Sequence, residues 1–317
     1  MLISVAIPCY NSSKTLPFVV DEIKKTFSDK PGYDYEIVLV NDNSPDNTYE
    51  VICQICKENP NVIGVDLSKN YGQASAQMAA IKYVKGDIVV FMDDDGQHPA
   101  NEIFKLINKI EEGYDLVYAH FSQKKHSGFK KITSAINSKI LEMTNRKPKD
   151  ILISSYFALS CFSVESLKKY HSPFPSIGGY LLQTTRKIAN VEVEHRARIE
   201  GVSNYNFKKL MKLWIQGLTN FSIAPLRLAS FIGMISSAVG ILAGIVLVIR
   251  KIVTPNIAIG YTSLMAAILL IGGLLMMMLG LLGEYIGRIY IVLSNMPQYS
   301  VREVINEKVE DCCDENK

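Results

Sequence analysis

The chain has 317 residues, of which 34 are Lys or Arg and 31 are Asp or Glu. Two windows, Leu228–Ile249 and Ile252–Gly283, contain none of these charged residues. A helix of roughly 20 apolar residues is long enough to cross the hydrocarbon core of a bilayer. This uneven distribution excludes a purely soluble enzyme, a disordered chain and a transporter with many spans. The net charge of +3 is too small to indicate a nucleic-acid partner.

The beginning of the chain is typical of a strand. It reaches Pro8 without a basic segment, unlike a secretory signal peptide, so we expect the water-soluble part to remain in the cytoplasm. Cysteines stay reduced in that compartment. Cys53 and Cys56 form a CxxC pair with no second pair to complete a zinc site. We expect packing or surface thiols, with a metal or redox site as the alternative.

Short apolar runs alternate with amphipathic segments through the first third of the chain. Strands that alternate with helices of about 10 to 15 residues indicate βαβ units around a mostly parallel sheet. The predicted strands are Leu2–Ile7, Glu36–Val40, Val62–Val65, Ile88–Met92 and Leu116–Tyr118. The predicted helices are Thr15–Thr26, Thr48–Lys57, Gln73–Val84 and Asn101–Ile110. Such sheets bind ligands beyond the carboxyl ends of their strands, so functional residues are expected there.

The richest chemistry follows the fourth predicted strand, where three carboxylates stand in a row. Side chains at positions i and i+2 of an extended segment project to the same side, so Asp93 and Asp95 are expected to face one divalent cation while Asp94 points elsewhere. Mg²⁺ or Mn²⁺ typically takes one or two carboxylates plus substrate phosphates. Such an ion would act as a Lewis acid on a nucleoside diphosphate leaving group. The alternative is a solvated acidic loop. No GxGxxG follows the first strand, so a nucleotide must be held without that phosphate cradle.

The motifs at these strand ends, taken in order, resemble those of a known family. They are Pro8-x-Tyr10-Asn11, Asp42-x-Ser44-x-Asp46, Asn70-x-Gly72, and Asp93-x-Asp95 followed by Gln97-His98-Pro99. They are similar to the motifs of family-2 inverting glycosyltransferases of the GT-A fold. The nearest branch is the polyprenyl-phosphate glycosyltransferases, which include dolichol-phosphate mannose synthase and bactoprenol glucosyltransferases.

The resemblance implies a role for individual residues. The residues implied to bind the nucleotide are Pro8, Tyr10, Asn11, Asp42, Ser44, Lys69, Asn70 and Asp93. The residues implied to be catalytic are Asp93, Asp95 and Gln97, with Asp93 and Asp95 at the metal and Gln97 beside the donor sugar. The sequence departs from the family pattern at Ser12, at Asn41, where an acid is common, and at Ala79-Ala80.

The resemblance also implies an organisation of the chain. A cytoplasmic, Rossmann-like GT-A domain with a mostly parallel sheet would occupy residues 1–205. An interfacial amphipathic helix (206–225), a hairpin of two transmembrane helices (226–283) and a cytoplasmic tail (284–317) would follow.

The acceptor side is expected near the end of the catalytic domain. Arg196 and Arg198 lie on one side of an extended segment, and Ser203 follows a glycine turn. Guanidinium groups suit a phosphate, which they can bind in bidentate fashion. The alternative is an edge strand with solvated arginines. A lipid phosphate already carries an anionic oxygen, so the enzyme mainly has to position it and neutralise charge.

The membrane segments are predicted from apolar periodicity and from charge. One helical stripe precedes the first charge-free window, which indicates a helix at an anionic membrane interface, with an ordinary core helix as the alternative. Its members are Phe207, Leu210, Met211, Trp214, Ile215, Leu218 and Phe221. Two spans follow, roughly Leu226–Ile249 and Thr262–Gly283. The excess of Lys and Arg outside the hairpin favours both ends in the cytoplasm. Gly272, Gly273 and Gly280 would allow close helix approach, so a homo-oligomer is a hypothesis.

Together these patterns predict a multi-pass enzyme of the inner (cytoplasmic) membrane. It would transfer a sugar from a UDP- or GDP-linked donor to polyprenyl (undecaprenyl) phosphate, with inversion and with Mg²⁺ or Mn²⁺. Two alternatives remain open: a processive membrane polysaccharide synthase and an inactive nucleotide-binding membrane scaffold. No motif in the sequence specifies the donor sugar, the base of the nucleotide or the glycan pathway.

Overall fold

The computed structural model describes residues 1–121, 148, 150–194, 196, 224–253 and 260–306. The chain forms two compact units. The first comprises Met1–Tyr205 together with Pro297–Lys317, and the second comprises Asn206–Met296.

The first unit is built on one eight-stranded sheet with the order β7-β5-β6-β4-β1-β2-β3-β8. Its strands are β1 (Leu2–Cys9), β2 (Asp34–Asn41), β3 (Val62–Leu67), β4 (Ile88–Phe91), β5 (Leu116–Phe121), β6 (Phe157–Ser160), β7 (Ile188–Val193) and β8 (Val301–Ile305). The strands β1 to β4 are parallel to one another, and β5 is parallel to β7. The strands β6 and β8 run antiparallel to their neighbours, so the sheet is mixed, but the other six strands share one direction and the expected mostly parallel character is confirmed.

Helices cover both faces of the sheet. They are α1 (Leu16–Ser28), α2 (Thr48–Glu58), α3 (Gln73–Tyr83), a 3₁₀ turn (Ala100–Glu102), α4 (Ile103–Glu111), α5 (Cys161–Lys168) and α6 (Ile177–Thr184). Successive strand residues point to opposite faces. Val5 therefore joins the core under α1, α2 and α4, while Ala6 joins the core under α3, α5 and α6. Burial on both faces explains the near-continuous apolar runs of the central strands.

The five strands and four helices predicted from periodicity are confirmed, with shifts of a few residues at their ends. The strands β6, β7 and β8 were not predicted. Strand β8 is the notable one, because it follows the apolar windows and was expected to be part of a tail. Its Ile305 packs near Gly64 of β3, where an added Cβ would lie 2.7 Å from the Ile52 side chain of α2.

The second unit contains two long helices, α7 (Ala224–Val253) and α8 (Tyr261–Leu293). Among the described residues, one segment, Leu270–Leu293, is long and apolar enough to cross a membrane, and α7 contributes the shorter apolar stretch Ala229–Gly240. Helix α8 continues beyond the predicted end at Gly283. The predicted interfacial helix at 206–225 lies almost wholly outside the described residues.

Small residues on these helices have two different surroundings. A Cβ added at Gly233 of α7 would lie 3.4 Å from the side chain of Met278 of α8. Among the described residues, no atom outside the helix's own backbone lies within 4 Å of a Cβ added at Gly272, Gly273 or Gly280. The predicted homo-oligomer stays a prediction.

Candidate functional site

The carboxyl ends of β4, β1, β2 and β3 lie side by side at one edge of the sheet, and the predicted site residues follow them. Four turns at this edge have positive φ, at Asn11 (58°), Asn43 (50°), Gly72 (91°) and Gly96 (72°). Asn and Gly tolerate this backbone conformation better than other residues. The residue types at these positions therefore allow the strand-end loops to turn sharply.

The loops after β1 and β2 are connected by a series of hydrogen bonds. The Asn11 amide donates to Ser44 Oγ (3.2 Å), and the Ser44 amide donates to Asn41 Oδ1 (3.1 Å). Asn41 Nδ2 donates to Asp66 Oδ1 (2.7 Å). Ser44 and Asn11, both predicted to bind the nucleotide, are thus held by each other and by the end of β2.

Asp46 ties the start of α2 to the loop after β1. Its carboxylate accepts from the amides of Ser13 (3.2 Å) and Thr48 (3.3 Å) and from the Thr48 hydroxyl (2.6 Å). Burial alone would raise the pKa of Asp46, but these hydrogen bonds outweigh it and hold the pKa below its ordinary value. Asp46 is therefore a charged anchor for both loops.

Asp42 connects the loop after β2 to the loop after β3. Its two oxygens accept from the amides of Tyr71 (2.7 Å) and Gly72 (2.8 Å). The side chain is 3% exposed, and this burial raises the pKa of Asp42 against the opposing effect of the two amides. The structure thus places the residue predicted to contact the base in a supporting position beneath that loop.

In the acidic run after β4, Asp94 and Asp95 accept hydrogen bonds from different loops. The Asp94 carboxylate accepts from the Tyr10 amide (3.0 Å), whereas Asp95 accepts from the Gln97 amide (3.0 Å). Burial, followed by the negative charges of Asp93 and Asp95, raises the pKa of Asp94 to about 6. The run therefore concentrates negative charge at the strand ends.

Asp93 is held from both sides. Gln73 Nε2 donates to Oδ1 (2.8 Å), and the Ser155 hydroxyl donates to Oδ2 (2.7 Å). Sequence reasoning missed both donors. Strand β6 pairs Phe157 with Phe91 in antiparallel register, and two more steps bring Ser155 opposite Asp93. Only the strand pairing, which leaves no mark in the sequence, could have located Ser155.

His98 supports the same carboxylate from the core. It is 4% exposed, and its ring stacks on Tyr156 at 4.8 Å and on Phe121 at 5.8 Å between ring centroids. Nδ1 accepts from the Asp93 amide (2.8 Å), which assigns the proton of a neutral ring to Nε2. Nε2 lies 3.6 Å from Asp93 Oδ2. His98 is therefore a buried side chain that stabilises the turn after β4 by accepting the Asp93 amide.

The donor set fits a divalent cation that completes its coordination with substrate phosphates. The residues that hold Asp93 are neutral donors, and they leave its negative charge in place. Among the described residues there is no group of three or more His, Cys, Asp or Glu placed to hold an ion. Mg²⁺ and Mn²⁺ suit a sparse set of this kind, because they are usually bound by one or two carboxylates and by phosphates.

The remaining predicted nucleotide residues differ in exposure. Tyr10 is 45% exposed, and Lys69 and Asn70 are exposed as well. Lys69 Nζ lies 4.9 Å from the centroid of the Tyr71 ring. Pro8 is a buried residue of β1. The first three can meet a ligand directly, whereas Pro8 shapes the strand end.

On the acceptor side the structure places only Arg196. Its guanidinium forms an ion pair with Glu22 of α1 and donates to Asn101 Oδ1 (3.2 Å). Arg198 and Ser203 lie outside the described residues. The predicted arginine pair therefore stays a prediction, and Arg196 contacts α1 and the 3₁₀ turn.

Comparison with known proteins agrees with the fold. The crystal structure of glucosyl-3-phosphoglycerate synthase from Mycobacterium tuberculosis in complex with Mn²⁺ and UDP-glucose superposes with a TM-score of 0.52 at 23% identity, covering 68% of this chain and 76% of that one. A mixed α/β sheet of the GT-A type is thus shared.

Sequence similarity extends over nearly the whole chain. It is 33% identical to undecaprenyl-phosphate 4-deoxy-4-formamido-L-arabinose transferase of Photorhabdus laumondii, over 96% of this chain and 94% of that protein. It is 31% identical to the SfII prophage-derived bactoprenol glucosyl transferase of Shigella flexneri, over 96% and 98%. Residues 4–170 match glycosyl transferase family 2, and residues 224–289 match the GtrB C-terminal hairpin.

The fold and the strand-end site define the class: this is a glycosyltransferase with a GT-A-like catalytic unit. The chain belongs to glycosyl transferase family 2.

Proposed function

We propose that the enzyme transfers a sugar, with inversion, from a UDP- or GDP-sugar to polyprenyl (undecaprenyl) phosphate at the cytoplasmic leaflet of the inner membrane. The observation that carries this proposal is full-length similarity to two transferases whose names specify undecaprenyl phosphate or bactoprenol as acceptor. Both the catalytic unit and the hairpin are shared with these relatives.

The donor would bind across the ends of β1 to β4. Tyr10, Asn11 and Ser44 would contact the base and ribose, and the loop supported by Asp42 would present Lys69 and Asn70 to the nucleotide. A divalent cation bound by Asp95 with Asp93 would neutralise the charge that grows on the diphosphate as the sugar bond breaks. Gln97, whose amide donates to Asp95, would lie beside the donor sugar.

Inversion would follow from direct attack by the acceptor. The phosphate oxygen is already anionic, so positioning and charge neutralisation can replace a general base. Arg198 and Ser203 remain proposed acceptor contacts. For Arg196 the same role requires that a phosphate compete with Glu22, because that carboxylate occupies the guanidinium in this structure.

The helices α7 and α8 would form the two-span hairpin. Many of the large apolar side chains described on these helices are exposed, and Phe231, Met234 and Met276 are each more than half exposed. Such a surface is unfavourable in water and suits lipid. We therefore propose residues 1–205 together with β8 as the cytoplasmic domain, 206–225 as the interfacial helix and 226–283 as the spanning hairpin, with residues 284–317 on the cytoplasmic side.

The test is an assay of the purified full-length protein with undecaprenyl phosphate, Mn²⁺ and a panel of radiolabelled UDP- and GDP-sugars. We expect one donor to give a lipid-linked product. Asp95→Asn should reduce turnover by about a hundredfold or more, as expected when a group that stabilises developing charge is removed. Asp29→Asn is the matched control, because Asp29 lies exposed beyond the far end of α1.

Two results would contradict the proposal. Failure of every donor to label the lipid would exclude polyprenyl-phosphate transfer. Unchanged cellular function of the Asp95→Asn variant would instead support an inactive nucleotide-binding scaffold.

A further inference from the structure

We propose that Asn41, Asp66 and Arg302 act together as positioning residues for the donor nucleotide. They would hold the loops after β2 and β3 in the arrangement that binds it. The proposal rests on the proposed function, because it concerns the same donor site. None of the three is itself placed to react with the sugar.

The centre of this arrangement is a cross-strand pair. Asn41 at the end of β2 lies in register with Asp66 of β3, and both side chains are buried. The Asn41 amide donates to Asp66 Oδ1 (2.7 Å), while its carbonyl oxygen accepts from the Ser44 amide (3.1 Å). Because Asp66 can only accept when ionised, it fixes which end of the Asn41 amide faces Ser44.

This pairing explains why the chain carries Asn41. An aspartate at this position would place two carboxylates about 2.7 Å apart in a buried site, and like charges at that separation repel strongly. A neutral amide instead donates to Asp66 and leaves an acceptor for Ser44. The identity of residue 41 is therefore coupled to that of residue 66.

Through Ser44, the Asn41 side chain is connected to the loops proposed to bind the nucleotide. Ser44 Oγ accepts from the Asn11 amide (3.2 Å), and Asn11 and Asn43 both have positive φ. Such backbone conformations cost energy for a residue with a side chain and depend on surrounding contacts. A misplaced Asn41 carbonyl would release Ser44 and, with it, the turn at Asn11.

The third residue, Arg302, belongs to β8 and approaches Asp66 from the edge of the sheet. Arg302 Nη1 is 3.7 Å from Asp66 Oδ2, and Nη2 donates to the Ser68 carbonyl (3.1 Å). One guanidinium thus joins Asp66 to the loop that carries Lys69 and Asn70. Since more than half of the Arg302 side chain is exposed, the pair adds little stability. Its effect is on the orientation of the two loops.

The decisive experiment exchanges the two central residues. Binding of UDP and of GDP, each with MnCl₂, is measured by titration calorimetry on the full-length protein in detergent without acceptor. We expect Asn41→Asp to weaken binding of the preferred nucleotide by about tenfold or more, as for breaking a buried hydrogen-bonded network. The double variant Asn41→Asp/Asp66→Asn restores one amide and one carboxylate, and it should recover affinity to within about threefold of wild type.

Melting temperatures separate folding from binding. If Asn41→Asp does not fold, the double variant decides: one that folds and binds like wild type supports the pairing, and one that folds without binding overturns it. Arg302→Gln should weaken binding by about threefold, as expected for an exposed charge pair. Glu303→Gln is its matched control on the same strand, because the Glu303 carboxylate accepts from the Tyr49 hydroxyl of α2.

The outcomes also distinguish this inference from the proposed function. A wild-type protein that binds neither UDP nor GDP overturns both. A wild-type protein that binds one of them, together with an Asn41→Asp variant that folds and binds equally well, overturns the positioning role alone.

Discussion

The carboxylates at the strand ends fall into two groups: those that fix loops and those proposed to bind a cation. Asp42 and Asp46 accept backbone amides, so their charge is used to fix loops. Asp93 and Asp95 are the carboxylates proposed to hold the cation that would meet the diphosphate. Burial raises the pKa of Asp94, and repulsion from the negative charges of Asp93 and Asp95 adds to that effect. A cation is the natural means of relieving that repulsion.

Ser155 should matter to catalysis although no sequence motif includes it. Removing its hydroxyl in Ser155→Ala frees Asp93 Oδ2 from a 2.7 Å hydrogen bond. Because hydrogen bonds to charged groups contribute about 1.5–3 kcal/mol, we expect kcat to fall roughly tenfold or more. Initial-rate measurements over a range of donor and Mn²⁺ concentrations would separate kcat from KM.

Two further serine variants make this prediction specific. Ser155→Thr keeps the hydroxyl and should recover most of the lost rate. Ser154→Ala removes a hydroxyl that accepts from the Tyr156 amide, and it should have the smaller effect. Equal rates for Ser155→Ala and wild type would show that catalysis does not depend on the hydrogen bond from Ser155 to Asp93.

At the scale of elements, β8 protects the edge of the sheet. Without it β3 would be an exposed edge strand with unpaired backbone groups, which favours association with other chains. Side chains reinforce the backbone pairing: Glu303 accepts from the Tyr49 hydroxyl (2.7 Å), and the Asn306 amide donates to the Val62 carbonyl (3.2 Å). The final described residues therefore belong to the catalytic unit.

Two truncations test the contribution of β8. A chain ending at Gln298 lacks β8, and we expect its melting temperature to fall by about 5 °C or more, as for a loss of ~2 kcal/mol in a domain of this size. It should also form larger species in size-exclusion chromatography. A chain ending at Asn306 keeps β8 and should behave like wild type. Equal melting temperatures for the two truncations would contradict this role.

Periodicity predicted the elements of the first third because their apolar spacing is regular and each is buried on one or both faces. Strand β8 carries Arg302 and Glu303 in five residues, so its apolar pattern is too short to identify it. Strand β6 has four residues, as β4 does, but its sequence FALS lacks the continuous run of large apolar residues found in IVVF of β4. The order of strand-end motifs predicted the location of the site, but Gln73, Ser155 and Asp66 are brought there by pairing between distant segments.

At the scale of the whole molecule, the charged segments and the apolar segments are separated along the chain. The excess of Lys and Arg outside the apolar hairpin predicts that both ends face the cytoplasm. The segment between α7 and α8 would then face the opposite side of the membrane.

Cysteine labelling tests this topology. Asn256→Cys should react with a membrane-impermeant maleimide in intact spheroplasts. The wild-type protein, whose exposed Cys161 lies in the catalytic unit, should react only after lysis and serves as the control. Labelling of wild type before lysis, or protection of Cys at position 256 until lysis, would reverse or abolish the predicted orientation.

The return of β8 to the sheet also has a consequence for the order of biosynthesis. Strand β3 is made early, and Arg302 cannot reach Asp66 until the ribosome has translated both long helices. At about 5–20 residues per second, this interval is on the order of ten seconds or more. The nascent catalytic unit therefore keeps an open edge while the apolar segment is synthesised, and its nucleotide loops become complete only after that segment has left the ribosome.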